Sequence, residues 1–147
     1  MIKSARKNGG TLCAGWVVQF ARNNHLGHAY WTHGFKEEAD SYFKEGLELY
    51  NKMLELNRHY HKDILTFYQI AALSAFQGNK EKAYEYLKQV NHRQGLPMWM
   101  IQCINYDPMF DSIRHEPEFQ QILRDVEAKY QAEHERVRQW LEENDML

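Results

Sequence analysis

Eight histidines stand in this chain, and two groups of them have a spacing that could do chemistry. His25-x2-His28 falls on one face of an expected helix with His33 just beyond it, and His59-x-His61 falls in a polar loop. Imidazole nitrogens so placed can ligate zinc. No cysteine joins either group and no acid stands within the same motif, so surface or helix-capping histidines are expected and no metal site. A His-dependent metal protein or enzyme is the weaker alternative. Asp107, Asp111, Glu116 and Glu118 make a second candidate, an acid–base set. They alternate with Pro108, Pro117 and apolar anchors, which is the pattern of two successive helix starts, where the helix dipole favours carboxylates. Neither a partner nucleophile nor a phosphate loop accompanies them, so no catalytic residue is expected. Cys13 and Cys103, each inside an apolar helical stretch, have no neighbouring histidine or activating charge in sequence and read as buried thiols. Two such cysteines supply no disulfide framework, and a reducing compartment fits.

The chemistry therefore gives way to the elements that carry these residues. At 147 residues the chain is expected to form one domain over 1–147, with no room for a cyclase, kinase or DNA-binding module beside its helices. Apolar residues at 44% and aromatic residues at 14% argue against disorder. Eighteen basic against twenty acidic residues leave a net charge of −2, which supplies no field for steering nucleic acid or anionic lipid. Lys3, Arg6 and Lys7 before Leu12-Cys13-Ala14-Gly15-Trp16-Val17-Val18 faintly imitate a secretory signal. Gln19 and Arg22 break that apolar stretch, and no clear small-residue cleavage site follows. No run is long enough to span a bilayer, so a cytoplasmic chain without nucleic-acid or membrane partners is expected.

Thr11 is placed to cap a helix running to about Trp31, with Trp16, Phe20, Leu26 and Tyr30 near helical spacing and Gly27 permitting close helix contact. His33-Gly34 ends it. Ala39, Phe43, Leu47, Tyr50 and Leu54 then recur at three- and four-residue steps, predicting a second helix of roughly twenty residues packed antiparallel to the first. Asp63 is placed to cap a third helix carrying Ile64, Phe67, Ile70, Ala71 and Leu73; Gly78-Asn79 turns it into a fourth with Ala83, Tyr84, Leu87 and Val90. After Gly95-Leu96-Pro97 a fifth helix reaches about Tyr106, and Glu116-Pro117 opens a long last helix to Glu143. Its apolar line runs Phe119, Ile122, Leu123, Val126, Tyr130, Val137, Trp140 and Leu141.

Two stretches of this walk share one pattern, 44 residues apart. Leu26-Gly27-x2-Tyr30 leads to Gly34-x4-Ala39-x3-Phe43, and Phe67, Ile70 and Ala71 lead to Gly78-x4-Ala83-x3-Leu87. Both resemble the tetratricopeptide repeat (TPR), a helix-turn-helix unit. The sequence departs from the family where Asn23 and Phe67 stand in place of Trp, Gly46 in place of a small Ala, and Asn51 and Gly95 in place of a closing Pro. The resemblance implies an all-α fold of antiparallel helical hairpins of TPR type, an α–α superhelix, with a long C-terminal capping helix. It divides the chain into a first repeat at 11–57, a second at 63–95, and a degenerate third unit with the capping helix at 97–144. Asp107-Pro-Met-Phe-Asp-Ser-Ile-Arg114 followed by Glu116-Pro-Glu-Phe-Gln-Gln-Ile-Leu123 resembles the tail that closes repeat regions of larger bacterial regulators.

What these resemblances imply is a non-catalytic scaffold, without a cofactor, that binds a protein or peptide within a bacterial regulatory or signalling assembly. The family's concave surface would here carry Asn24, His28 and Trp31 from the first unit and Tyr68, Ala72 and Phe76 from the second. The Lys that completes the family's carboxylate clamp is missing beside Asn24. Trp31, Tyr68 and Phe76 at helical spacing also fit a packed interior. The alternative function is self-association into a homodimer through Val137, Trp140 and Leu141 of the final helix, which exceeds the length a cap requires.

Overall fold

Gly34 and Gly78 take positive φ of 88° and 81°, a backbone that costs glycine nothing because it has no Cβ. In the computed structural model, which describes residues 23–56, 64–92 and 96–146, the two glycines close their helices in the same way. Phe35 N–H donates to Tyr30 O at 3.0 Å and Gly34 N–H to Trp31 O at 3.1 Å. Asn79 N–H donates to Ser74 O at 2.8 Å and Gly78 N–H to Ala75 O at 3.0 Å. These bonds satisfy the last carbonyls of each helix while the chain reverses. Helix α1, described over 23–32, thereby turns into α2 (Lys36–Glu55), and α3 (Ile64–Phe76) into α4 (Lys80–Asn91). Then come α5 (Met98–Tyr106), a 3-10 turn (Pro108–Phe110) and α6 (Pro117–Glu143). The described residues are all-helical, with no strand among them. Thr11, Cys13, Trp16, Phe20, His59, His61, Asp63 and Gly95 lie outside the described residues.

Small residues bring the helices together. A Cβ on Gly27 would fall 2.4 Å from the ring of Phe43, and one on Gly46 would fall 3.3 Å from Asn24 Oδ1, so α1 and α2 touch at two glycines. Helix α3 is innermost: nine of its 13 residues are buried, among them Ile70, Ala71 and Leu73. It packs against α2, α4 and the 3-10 turn, which is why it lacks a polar face while α2 and α4 keep one. Ala71 and Ala83 have no exposed surface. Helix α4 packs in turn on α6, and α6 on α5, so one core runs from Phe43 through Leu73 and Leu87 to Ile104, Phe110, Phe119 and Val126.

The turn between α5 and α6 is fixed by side chains. Asp107 Oδ1 accepts from Met109 N–H at 3.0 Å, and Pro108 and Pro117 sit in first turns where a missing amide hydrogen costs nothing. The Arg114 guanidinium donates to the carbonyl oxygens of Asn105 and Asp107. Helix α6 then runs 27 residues without a break and does not fold back along the body. Its buried residues end at Val126, and Tyr130 is the last packed against the core. The remaining turns extend about 20 Å past it at 1.5 Å per residue.

Candidate partner-binding surfaces

The six positions expected on a groove wall divide into an interior set and a surface set. Asn24, Tyr68 and Ala72 are 1%, 3% and 1% exposed and face the chain's own core, which corrects their expected accessibility. The Asn24 amide donates to the Gln69 side chain at 2.7 Å and to the Gln69 carbonyl at 3.0 Å, while its oxygen accepts from the Tyr50 hydroxyl at 3.3 Å. A buried primary amide needs such partners, and here they tie α1 to α2 and α3. The Tyr68 hydroxyl donates to Asp107 Oδ2, joining α3 to the cap. Burial, followed by the charge of Asp107, pushes the Tyr68 pKa far above the ordinary phenol range. Ala72 is one of the small residues of the central helix.

His28, Trp31 and Phe76 do come together. The Phe76 ring makes T-shaped contacts with His28 at 5.4 Å and with Trp31 at 5.7 Å between centroids, and lies against Phe43 at 5.2 Å. Trp31 remains 37% exposed, and the Lys36 ammonium lies 4.9 Å from its ring centroid. Phe35, 54% exposed, adds a second open ring beside Tyr30, which stacks on Tyr42 at 5.3 Å. The patch thus combines apolar ring faces with one cation over an indole, an arrangement worth roughly 0.5–1 kcal/mol at an exposed site. Phe35 and Lys36 were missed in sequence because they sit across the turn from Trp31, outside any helical stripe. On α5, Met98, Trp99 and Tyr106 are also exposed. Trp99 and Tyr106 lie two turns apart, a spacing as common in cores as on surfaces.

At the far end, Val137 and Trp140 are exposed and Leu141 is half-buried on the projecting part of α6. Around them Glu133 pairs with Arg136, and Arg138 pairs with Glu135 and Glu142, all within the one helix. These bonds hold the Glu133 carboxyl below the usual carboxylate range and Glu135 down to about 2, hydrogen bonding to Arg136 and Arg138 being the main cause in each case.

Most of the described groups that could do chemistry have structural partners. His33 Nδ1 lies 2.8 Å from Ala29 O at the end of α1, and His25 is exposed. Among the described residues no three His, Cys, Asp or Glu side chains gather as metal ligands. Asp111 pairs with Arg114, Glu116 accepts from Lys80 and Tyr84, and Glu118 pairs with Lys88 at 2.7 Å. Burial, and secondarily Asp107, pushes the Cys103 thiol up and so disfavours the thiolate. No described helix is long and apolar enough to cross a membrane. No family model, curated protein or solved structure matches the chain.

Proposed function

We propose that this chain is a non-catalytic, TPR-like helical scaffold that binds a protein or peptide segment within a bacterial regulatory assembly. The observation that carries this reading is the aromatic cluster of His28, Trp31 and Phe76 with Lys36 over the indole and the exposed Phe35 in the adjoining turn, presented at the end of two hairpins closed by the same glycine turn. Rings of this kind give large contact area for little rotamer entropy and are favoured at interface hot spots. Burial of α3 holds Phe76 in place before any partner arrives, so less ordering is required on binding. The ligand this chemistry suits is a segment with an apolar anchor and a carboxylate near Lys36.

The test is recovery of partners from the native source by the full chain, compared with a Trp31→Ala/Phe35→Ala double variant. Both side chains are exposed, so the variant keeps the core, and its helical circular dichroism should match that of the parent. A partner held by the parent and lost by the variant supports the reading. Equal recovery by both would sink it. Asn24 and Tyr68 are unsuitable targets, since their replacement disturbs the interior.

A further inference from the structure

The triplet Phe119-x2-Ile122-Leu123, by which α6 docks on the body, recurs 18 residues later as Val137-x2-Trp140-Leu141. Eighteen residues are five turns of 3.6, so both triplets occupy the same face of the helix. Phe119, Ile122 and Leu123 are 1%, 5% and 7% exposed, whereas Val137 and Trp140 are 43% and 51% exposed. The docking face of α6 therefore continues beyond the body, uncovered by any described residue. We propose that a second copy of this chain covers it, the two α6 ends lying antiparallel.

Charge selects both the occupant and the orientation. Lys129, Arg136 and Glu143 recur every seven residues along one flank of the stripe, and His134 and Leu141 along the other. In an antiparallel pair of identical helices the same flanks meet, so Arg136 of each copy faces Glu143 of the other, giving two opposite-charge contacts by symmetry. In a parallel pair opposite flanks meet, placing Lys129 against His134 and Arg136 against Leu141, with no attraction. Glu135, Arg138 and Glu142 lie on the outer face, paired within their helix, while Arg136 also pairs with Glu133 of its own helix and so stands between two carboxylates in the antiparallel pair. The Arg136–Glu143 register sets Val137 of one helix close to Trp140 and Leu141 of the other. Helix α6 of each copy ends at Glu143, beside Arg136 of the other and short of Tyr130, so the two bodies sit at opposite ends of the pair.

Helix α6 ends at Glu143, so in this register the helices overlap over 136–143, about one heptad, too short for free helices but presented on helices already nucleated on a folded body. An interface of this length falls below about 1,200 Å², the range of reversible complexes, so a weak dimer is expected. This inference is independent of the aromatic patch near Trp31, and either can fail alone.

Sedimentation of the full chain across the micromolar range tests it. The parent should pass from monomer to dimer mass as concentration rises. Trp140→Glu should weaken dimerisation by about tenfold or more, as expected for a central aromatic anchor. Arg136→Glu and Glu143→Arg should each weaken it, and the double reversal should restore it to within about threefold of the parent, since the two charges then face each other again. All three substitutions lie outside the body and leave its folding intact, which circular dichroism would verify. A chain that stays monomeric throughout overturns the proposal and leaves the face to a different protein. A dimer indifferent to Trp140→Glu, or charge reversals that only add, overturns it equally.

Discussion

At the scale of single residues, the two helical glycines between α1 and α2 make opposed demands. Alanine at Gly27 would gain up to about 1 kcal/mol of helix propensity. Its Cβ would meet Phe43 at 2.4 Å, and that ring is 2% exposed and backed by Phe76, so it has nowhere to move. Overpacking of about 1–3 kcal/mol exceeds the propensity gain, and Gly27→Ala should lower stability in urea denaturation. Gly46→Ala meets only a 3.3 Å contact with Asn24 Oδ1 and should be much milder; an equal loss at both sites would refute the steric account. Asn24→Leu should cost about 1–3 kcal/mol by leaving Gln69 and Tyr50 with a lost partner each in the interior. The close approach at Gly27 was legible from Leu26-Gly27-x2-Tyr30. The role of Asn24 was not, because a polar residue on a helix gives no sign of whether its amide meets solvent or a buried glutamine 45 residues away.

At the scale of elements, α4 and α6 are joined at the surface by ion pairs that acid should release. Hydrogen bonds from Lys80 and Tyr84 hold Glu116 below its ordinary carboxylate pKa of 4.5, and Glu133 and Glu135 are lowered by their arginines. A carboxylate whose folded pKa is depressed adds stability above its unfolded pKa and loses it as pH falls through the folded value. The melting midpoint should therefore hold from neutral pH to about 5 and decline below about 4.5 as Glu116 protonates. Glu116→Gln should lower the midpoint at neutral pH and shallow the acid decline in circular dichroism melts, whereas an unchanged acid limb would assign the decline to other carboxylates. Helix ends at this scale were legible because their causes are local. Gly34 and Gly78 end helices through positive φ, and Pro117 starts one through its missing amide hydrogen. Exposure of Trp99 and Tyr106 on α5 was not, since it depends on which neighbour the helix lacks.

At the scale of the whole molecule, stability should be distributed as unevenly as burial. Helix α3 lies between α2, α4 and the 3-10 turn, while α6 beyond Tyr130 rests on no other described element and is supported by ion pairs within its own backbone turns. All-helical architecture was legible from apolar periodicity alone, and the surplus length of the last helix was legible from its continued stripe. Which turns of that stripe would be covered was not, because coverage is set by where α4 and α5 end. An isolated helix of about 13 residues is marginal in water, and salt bridges within it add only about 0.3–0.5 kcal/mol each. Amides from 133 to 143 should consequently exchange with solvent orders of magnitude faster than those of α3 in a dilute sample. Antiparallel pairing couples that exchange to concentration: protection at 133–143 should rise with total protein while α3 is unchanged, because the second copy orders only the projecting turns. Trp140→Glu should abolish the rise without altering exchange in α3. Protection that is already high in dilute solution would mean the projecting turns are held by the chain itself, and protection that stays low at every concentration would leave α6 without a second copy.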